Sequence, residues 1–213
     1  MNRPLVITDC DEVLMHMVVP FAEWVDAEHG VIFRIEDASF ANALKRKECG
    51  TPLEAAEVWP LLDGFFRKEM VRQYPIPGAL AAMAAIGVEA DIVVLTNVGP
   101  EHQQGRIEQL ALHDFHAPVI GSRGGKGEPV RRLIEQYQPS VAVFIDDLAG
   151  HHQSVAEAAP DVWRLHFVGE PVIADKIAPS PFAHARIDDW KAAQHWILAR
   201  LAENISAPAR EPV

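Results

Sequence analysis

The spacing of apolar and polar positions divides the chain into three stretches. The first is short. Leu5, Val6, Ile7 and Thr8 run apolar or β-branched without interruption and end at Asp9-Cys10-Asp11. A run too short for a helix and rich in β-branching predicts a strand buried on both faces. From about Met17 to Arg72 the spacing becomes helical and no strand is evident. Phe21, Trp24 and Val25 share one helix face, and Gly30 is placed to end that helix. A second helix is predicted from Asp37 as cap to Lys47, with Gly50 beyond its end. Thr51-Pro52-Leu53-Glu54 has the form of a capping box with proline at the first helical position. Pro60 is expected to end that helix and open another carrying Leu61, Leu62, Phe65 and Phe66. The aromatics Phe21, Trp24, Trp59, Phe65 and Phe66 fit a ligand pocket or, more commonly for such a stripe, the core of a small helical bundle.

The third stretch opens at the turn Tyr74-Pro75-Ile76-Pro77-Gly78. Thereafter strand and helix patterns alternate. An alanine-rich helix, Ala79 to Ile86 with Gly87 as its stop, leads to a strand Asp91–Thr96 and a helix Pro100–Leu112. A short strand Ala117–Ile120, a glycine loop Gly121–Gly127 and a helix Pro129–Tyr137 follow. Strands at Val141–Ile145 and Val162–Val168 and a helix Asp189–Leu201 complete the pattern, before a polar tail expected to be loose. Such alternation predicts an α/β fold, a Rossmann-like doubly wound parallel sheet with helices on both faces. Residues 17–73 form a small inserted all-helical cap in this reading, and residues 1–16 and 74–213 form the core.

Composition narrows the function. A formal charge of −11 and a pI near 5.3 argue against nucleic acid or anionic membrane as partner. The one basic cluster, Lys45-Arg46-Lys47, is followed by Glu48 and reads as a solvated helix face. Cys10 and Cys49 make neither a disulfide framework nor a zinc spacing. With no apolar signal core and no run near the ~20 residues needed to span a bilayer, a cytoplasmic protein is expected.

Ligands of parallel sheets bind beyond the carboxyl ends of the strands. There this chain puts Asp9 and Asp11, then Thr96 and Asn97, then Asp146 and Asp147, with Lys126 in the loop after the third strand. Residues two apart in extended backbone point the same way, so Asp9 and Asp11 could share a focus while Cys10 turns into the sheet. Crowded carboxylates repel unless a cation or proton separates them. The bland alternative is acids in a solvated turn. Gly121-Ser122-Arg123-Gly124-Gly125-Lys126 approaches a P-loop, but is one residue short, and Gly127 replaces the magnesium-holding Ser or Thr. His151-His152, opening a helix, read as capping or solvent-exposed rather than metal ligands.

These motifs resemble the haloacid dehalogenase-like hydrolase superfamily: VITDCDEVL at residues 6 to 14, VVLTN at 93 to 97, Lys126 before a helix, and VFIDDL at 143 to 148. The resemblance implies a nucleophile at Asp9, a general acid/base at Asp11, and phosphate binding by Thr96, Asn97 and Lys126. It implies a Mg²⁺ site built from Asp9, Asp11, Asp146 and Asp147, Asp11 through its backbone carbonyl, with Asp146 as ligand or as support. Glu12 stands where relatives commonly carry glycine. A phosphatase for a small phosphorylated metabolite, working through an aspartyl-phosphate, is the expected activity. A phosphomutase with the same motifs and an idle binding protein are its rivals. Selectivity is expected from polar cap positions such as Arg34 and Lys45. Substrate identity and oligomeric state are not legible in the residues.

Overall fold

The computed structural model describes residues 2–34 and 43–209. β1 (Leu5–Thr8) is central in a six-stranded, wholly parallel sheet with β4 (Asp91–Thr96), β5 (Val119–Gly121), β6 (Ala142–Asp146), β7 (Trp163–His166) and β8 (Ala185–Arg186). The strand order is β5-β4-β1-β6-β7-β8. β1 therefore lies between β4 and β6, Leu5 pairing with Asp91 on one side and Ala142 on the other. Every residue of β1 is buried, as its apolar run predicts. Alternate residues feed two cores. Val6, Val94, Val143 and Ile145 pack with α3 (Ala79–Glu89) and α8 (Trp190–Glu203) on one face. Leu5, Ile7, Leu95 and Phe144 pack with α5 (Gly127–Tyr137) and α6 (Ala149–Ala158) on the other. The doubly wound expectation is met.

The segment between β1 and α3 differs from the all-helical expectation. α1 (Val18–His29) ends, as expected, at a left-handed Gly30. β2 (Val31–Phe33) follows at once and pairs antiparallel with β3 (Leu44–Arg46). Leu44 and Phe33 thereby bury their side chains in the segment's own core, and Lys45-Arg46-Lys47 lie on a strand and turn, not a helix face. The expected cap at Asp37 lies outside the described residues. Pro52 bridges Lys45, so the next helix starts a turn later than expected, as α2 (Ala55–Lys68), with a reciprocal Glu54–Glu57 capping box. Pro60 does not break α2. It forfeits one backbone bond, to Ala56, while burial of Val58, Phe65 and Phe66 holds the helix in place. Gly87 likewise lies inside α3, two residues short of its end. The tail is pinned: Trp163 Nε1 donates to the Ile205 carbonyl at 2.8 Å, and Ala207 N to Asp161 at 3.0 Å.

The aromatic stripe divides. Phe21, Trp24, Phe65 and Phe66 form the apolar cluster of this segment, with Val98, Val168 and Ile173 of the core closing its underside. Trp59 is 55% exposed and stays out of it. Among the described residues, no helix is long and apolar enough to cross a membrane.

Candidate active site

The adjacent ends of β4, β1 and β6 bring Thr96, Asp9 and Asp146 side by side at the middle of the sheet's carboxyl edge. Asp9 N still bonds to the Ile145 carbonyl at 2.8 Å, which fixes its backbone to the neighbouring strand. Lys126 Nζ reaches this edge from the start of α5, 2.9 Å from Asp9 Oδ1 and 2.6 Å from Asp146 Oδ2. Gly127 makes that reach possible. A Cβ there would stand 2.1 Å from the Ser154 carbonyl oxygen, so only glycine lets α5 approach α6 this closely. Lys126 is wholly buried between two carboxylates, which is not the arrangement of a P-loop lysine.

Charge is unbalanced here. Asp9, Asp146 and Asp147 each offer an oxygen, all within 4.8 Å of one another and all buried. Burial pushes the Asp9 carboxyl up to about 7; Lys126 opposes the rise, and Asp146 and Asp11 add to it. Burial, then repulsion from Asp146, Asp9 and Glu12, holds Asp147 well above the ordinary carboxylate range. Burial acts upward on Asp146 too, but Lys126, His151 and His152 outweigh it and the carboxyl lies low. One ammonium does not compensate three buried carboxylates. An all-oxygen set of this charge suits a hard divalent cation. Beside it the Thr96 hydroxyl is buried without a hydrogen-bond partner, open to a further acceptor.

Asp11 shares the motif but not the surroundings. Arg106 Nη2 donates to both its oxygens, at 2.7 and 2.9 Å, and Gln73 Nε2 to one at 2.5 Å. Arg106, wholly buried on α4 (Gln103–Ala111), also donates to Gln73 at 3.0 Å and to Gln109 at 2.6 Å. Gln109 in turn donates to the Met70 carbonyl at 2.6 Å. Asp11 is thus tied to the connection leading back from the inserted segment. Arg106, Gln73 and Gln109 escaped the sequence reading. The readable signal was the spacing of Arg106, Gln109 and Leu110, which places two polar groups on a buried helix face.

Glu12 adopts φ +58°, the left-handed conformation that explains why glycine suits this position. Its Oε1 accepts from the N–H groups of Met17 and Val18, at 2.7 and 2.5 Å, at the opening of α1. Asn97 donates to Gly124 O at 2.9 Å, lies 3.3 Å from His151 Nε2 and accepts from Ser122 at 2.8 Å, holding two loops together. His151 and His152 are buried, and no side chain caps the helix they open, contrary to the capping or exposed placement expected from their doublet. His152 Nε2 lies 3.0 Å from the Asp146 carbonyl and steadies the fourth motif. Cys10 is buried and free, its thiol pushed up by burial, as an inert core cysteine.

A cavity of about 600 Å³ stands over Asp9, Asp11 and Asp147. Its walls are apolar: Met17, Trp59, Leu62 and Phe66 from the inserted segment, Ile173 and Ile177 from the core. Four titratable groups of its wall are paired with one another, Asp63 with His102 at 2.7 Å and Glu101 with Arg123. Arg34 and Lys45, expected to govern selectivity, are not on this wall.

No family model matches the sequence, and no curated protein matches it. Solved structures do match the fold. A haloacid dehalogenase-like family hydrolase from Streptococcus pneumoniae aligns at TM-score 0.61 and 14% identity, over 91% of this chain and 97% of that one. A provisionally assigned phosphoglycolate phosphatase from Lactobacillus delbrueckii aligns at 0.61 and 15%, over 92% and 99%. A provisionally assigned HAD-hydrolase from Bacillus subtilis, bound to magnesium and described as revealing interdomain movement, aligns at 0.61 and 13%, over 93% and 100%. At these identities the likeness is one of architecture alone: this chain has the fold of the haloacid dehalogenase-like hydrolases.

Proposed function

We propose that the chain is a Mg²⁺-dependent phosphatase that hydrolyses a small phosphomonoester with an apolar leaving group through an aspartyl-phosphate on Asp9. One observation carries the reading: buried Asp9, Asp146 and Asp147 converge beside Lys126 and an unpartnered Thr96 hydroxyl, beneath an apolar cavity. Asp9 and Asp147 would hold the ion with the Asp11 backbone carbonyl, while Asp146, engaged by Lys126 and by Leu148 N, supports them. When bound, the ion offsets the repulsion between the Asp9 carboxylate and a phosphate dianion. The magnesium-bound Bacillus subtilis structure of the same fold supports the assignment.

Asp9 attacks phosphorus, and the leaving oxygen departs on the opposite side. Lys126 favours the ionised form of Asp9 and holds it in line, and carries a third N–H to offer a phosphate oxygen. Thr96 donates its free hydroxyl to another. Asn97 contributes a donor to the phosphate only by releasing Gly124 or His151. Asp11 protonates the leaving group and then deprotonates the attacking water, once Arg106 and Gln73 yield an oxygen. Gln73 belongs to the segment's return connection, so we assign residues 17–73 as a lid whose movement frees Asp11. The largely apolar wall, with Asp63, His102, Glu101 and Arg123 already engaged in pairs, favours an aryl or alkyl leaving group over a sugar. Arg123, the sole Lys or Arg among the wall residues, is engaged by Glu101, which disfavours a mutase that must hold a second phosphate.

Phosphate release from a panel of monoesters tests this. Naphthyl and alkyl phosphates should turn over with Mg²⁺ and stop with chelator, with sugar phosphates at least tenfold slower. Trp59→Ala should lower kcat/KM for the naphthyl ester about tenfold, within the ~1–3 kcal/mol of a lost apolar contact, and leave small alkyl esters nearly unchanged. Undiminished turnover in excess chelator would sink the reading.

A further inference from the structure

The turn that follows Asp11 holds a second group of buried donors. Glu12, His16 and Glu170 are 2%, 6% and 4% exposed, and each offers an atom within 4.8 Å of the other two. Glu12 Oε1 is engaged by Met17 and Val18 N–H, and Glu170 Oε1 by Val172 N at 3.0 Å. The atoms left over are Glu12 Oε2, His16 Nδ1 and Glu170 Oε2. Glu12 Oε2 and His16 Nδ1 have no hydrogen-bond partner. His16 Nδ1 lies 2.9 Å from Glu170 Oε2, an ion-pair contact that falls short of hydrogen-bond geometry.

An unmet buried polar group costs about 1–3 kcal/mol, and here two such groups belong to residues that, with Glu170, each offer an atom within 4.8 Å of the others. A close N···O approach without a hydrogen bond is what two neighbouring ligands of one ion make. Two donors on bonds of ~2.0–2.1 Å to a tetrahedral ion stand roughly 3.3 Å apart, within a few tenths of an ångström of the 2.9 Å between His16 Nδ1 and Glu170 Oε2. One imidazole and two carboxylates form a mixed nitrogen and oxygen set, suited to Zn²⁺ or Mn²⁺ more than to Mg²⁺, which prefers oxygen throughout.

We infer that Glu12, His16 and Glu170 form a divalent transition-metal site, separate from the all-carboxylate site of Asp9, Asp146 and Asp147. It lies at the hinge of the inserted segment. His16 N bonds to the Tyr74 carbonyl at 2.9 Å, and its ring packs on Tyr74 with centroids 4.7 Å apart, so His16 touches both connections to the core. Glu12 holds the first turn of α1, and Glu170 caps α7 (Pro171–Ala174) on the core side. An ion shared by all three clamps the start of α1 to the core and restrains the lid. The site stands whether or not the chain hydrolyses phosphate.

Equilibrium dialysis of the chelator-stripped full chain against Zn²⁺, with Mg²⁺ in excess to occupy the other site, tests this. Wild type and Asp147→Asn should each retain one Zn²⁺ per chain, and His16→Asn and Glu170→Gln should bind it at least tenfold more weakly. Co²⁺ in place of Zn²⁺ should give wild type and Asp147→Asn a visible absorption band that both cluster variants lack. If His16→Asn does not fold, by circular dichroism, Glu170→Gln decides alone. Equal Zn²⁺ uptake by wild type and the folded cluster variants, no uptake by wild type, or loss of uptake in Asp147→Asn would overturn the site.

Discussion

Asp9 and Asp11 stand two residues apart, yet the surroundings of one are the inverse of the other's. Around Asp9, buried carboxylates outnumber cations, and the carboxyl is pushed up to about 7. Around Asp11, a fully buried guanidinium grips both oxygens, and Gln73 adds a third bond. The first region is short of positive charge and held by the rigid sheet edge. The second is charge-matched and tied to the connection that carries the inserted segment. In the mechanism proposed above, equal chemistry in the sequence thus serves as nucleophile in one place and as releasable proton carrier in the other.

The comparison breaks most severely at the nucleophile. Asp9→Asn should remove turnover by a factor on the order of 10⁴ or more, while thermal melts show a folded protein. Asp11→Asn should cost ~10²–10⁴-fold on an alkyl phosphate and clearly less on a nitrophenyl ester, whose leaving group needs little protonation. Mg²⁺ affinity of that variant should stay within a few-fold of wild type by calorimetry. Equal losses on both esters would erase the distinction drawn between the two aspartates.

The sheet edge was legible and the inserted segment was not, for a physical reason. Strands such as Leu5–Thr8 and Ala142–Asp146 are buried on both faces, so burial writes itself as an uninterrupted apolar run ending in polar residues. β2 and β3 have three residues each, and Leu44-Lys45-Arg46 is as compatible with a helix as with a strand. Only its pairing with Val31–Phe33 decides, and pairing between short strands is a tertiary event. Arg106 is hidden in the sequence by Ile107, the apolar position of the two, which is 36% exposed while Arg106 is fully buried. Glu12 reads in the sequence only as a departure from glycine. Its meaning, a left-handed backbone and a carboxylate turned toward His16 and Glu170, needed the fold.

Smaller effects sharpen the contrast. Lys126→Met leaves the Asp9 and Asp146 carboxylates buried without their cation, which should cost about 3–5 kcal/mol in the absence of metal. Mg²⁺ at about a hundred times its Kd should return ~2.7 kcal/mol, so that the deficit narrows in a melt with metal. No destabilisation in metal-free buffer would mean that Lys126 is not the counterion. The pH dependence follows from Asp9, whose folded value of about 7 exceeds the ordinary 3.8. Between those values the metal-free native state binds a proton that the unfolded chain has released, so this group's contribution to stability falls as pH rises. Mg²⁺ binds the ionised form, and its stabilising thermal shift should therefore be larger at pH 8 than at pH 5. A shift independent of pH would place the ion elsewhere.

Covalent chemistry at Asp9 is tested most directly by acid-quenched mass spectrometry during turnover of a reactive aryl phosphate. The prediction is one added phosphoryl group on the peptide containing Asp9, absent from Asp9→Asn and accumulating in Asp11→Asn, where water is no longer activated. A phosphoryl group on any other residue, or steady turnover of Asp9→Asn, would contradict it.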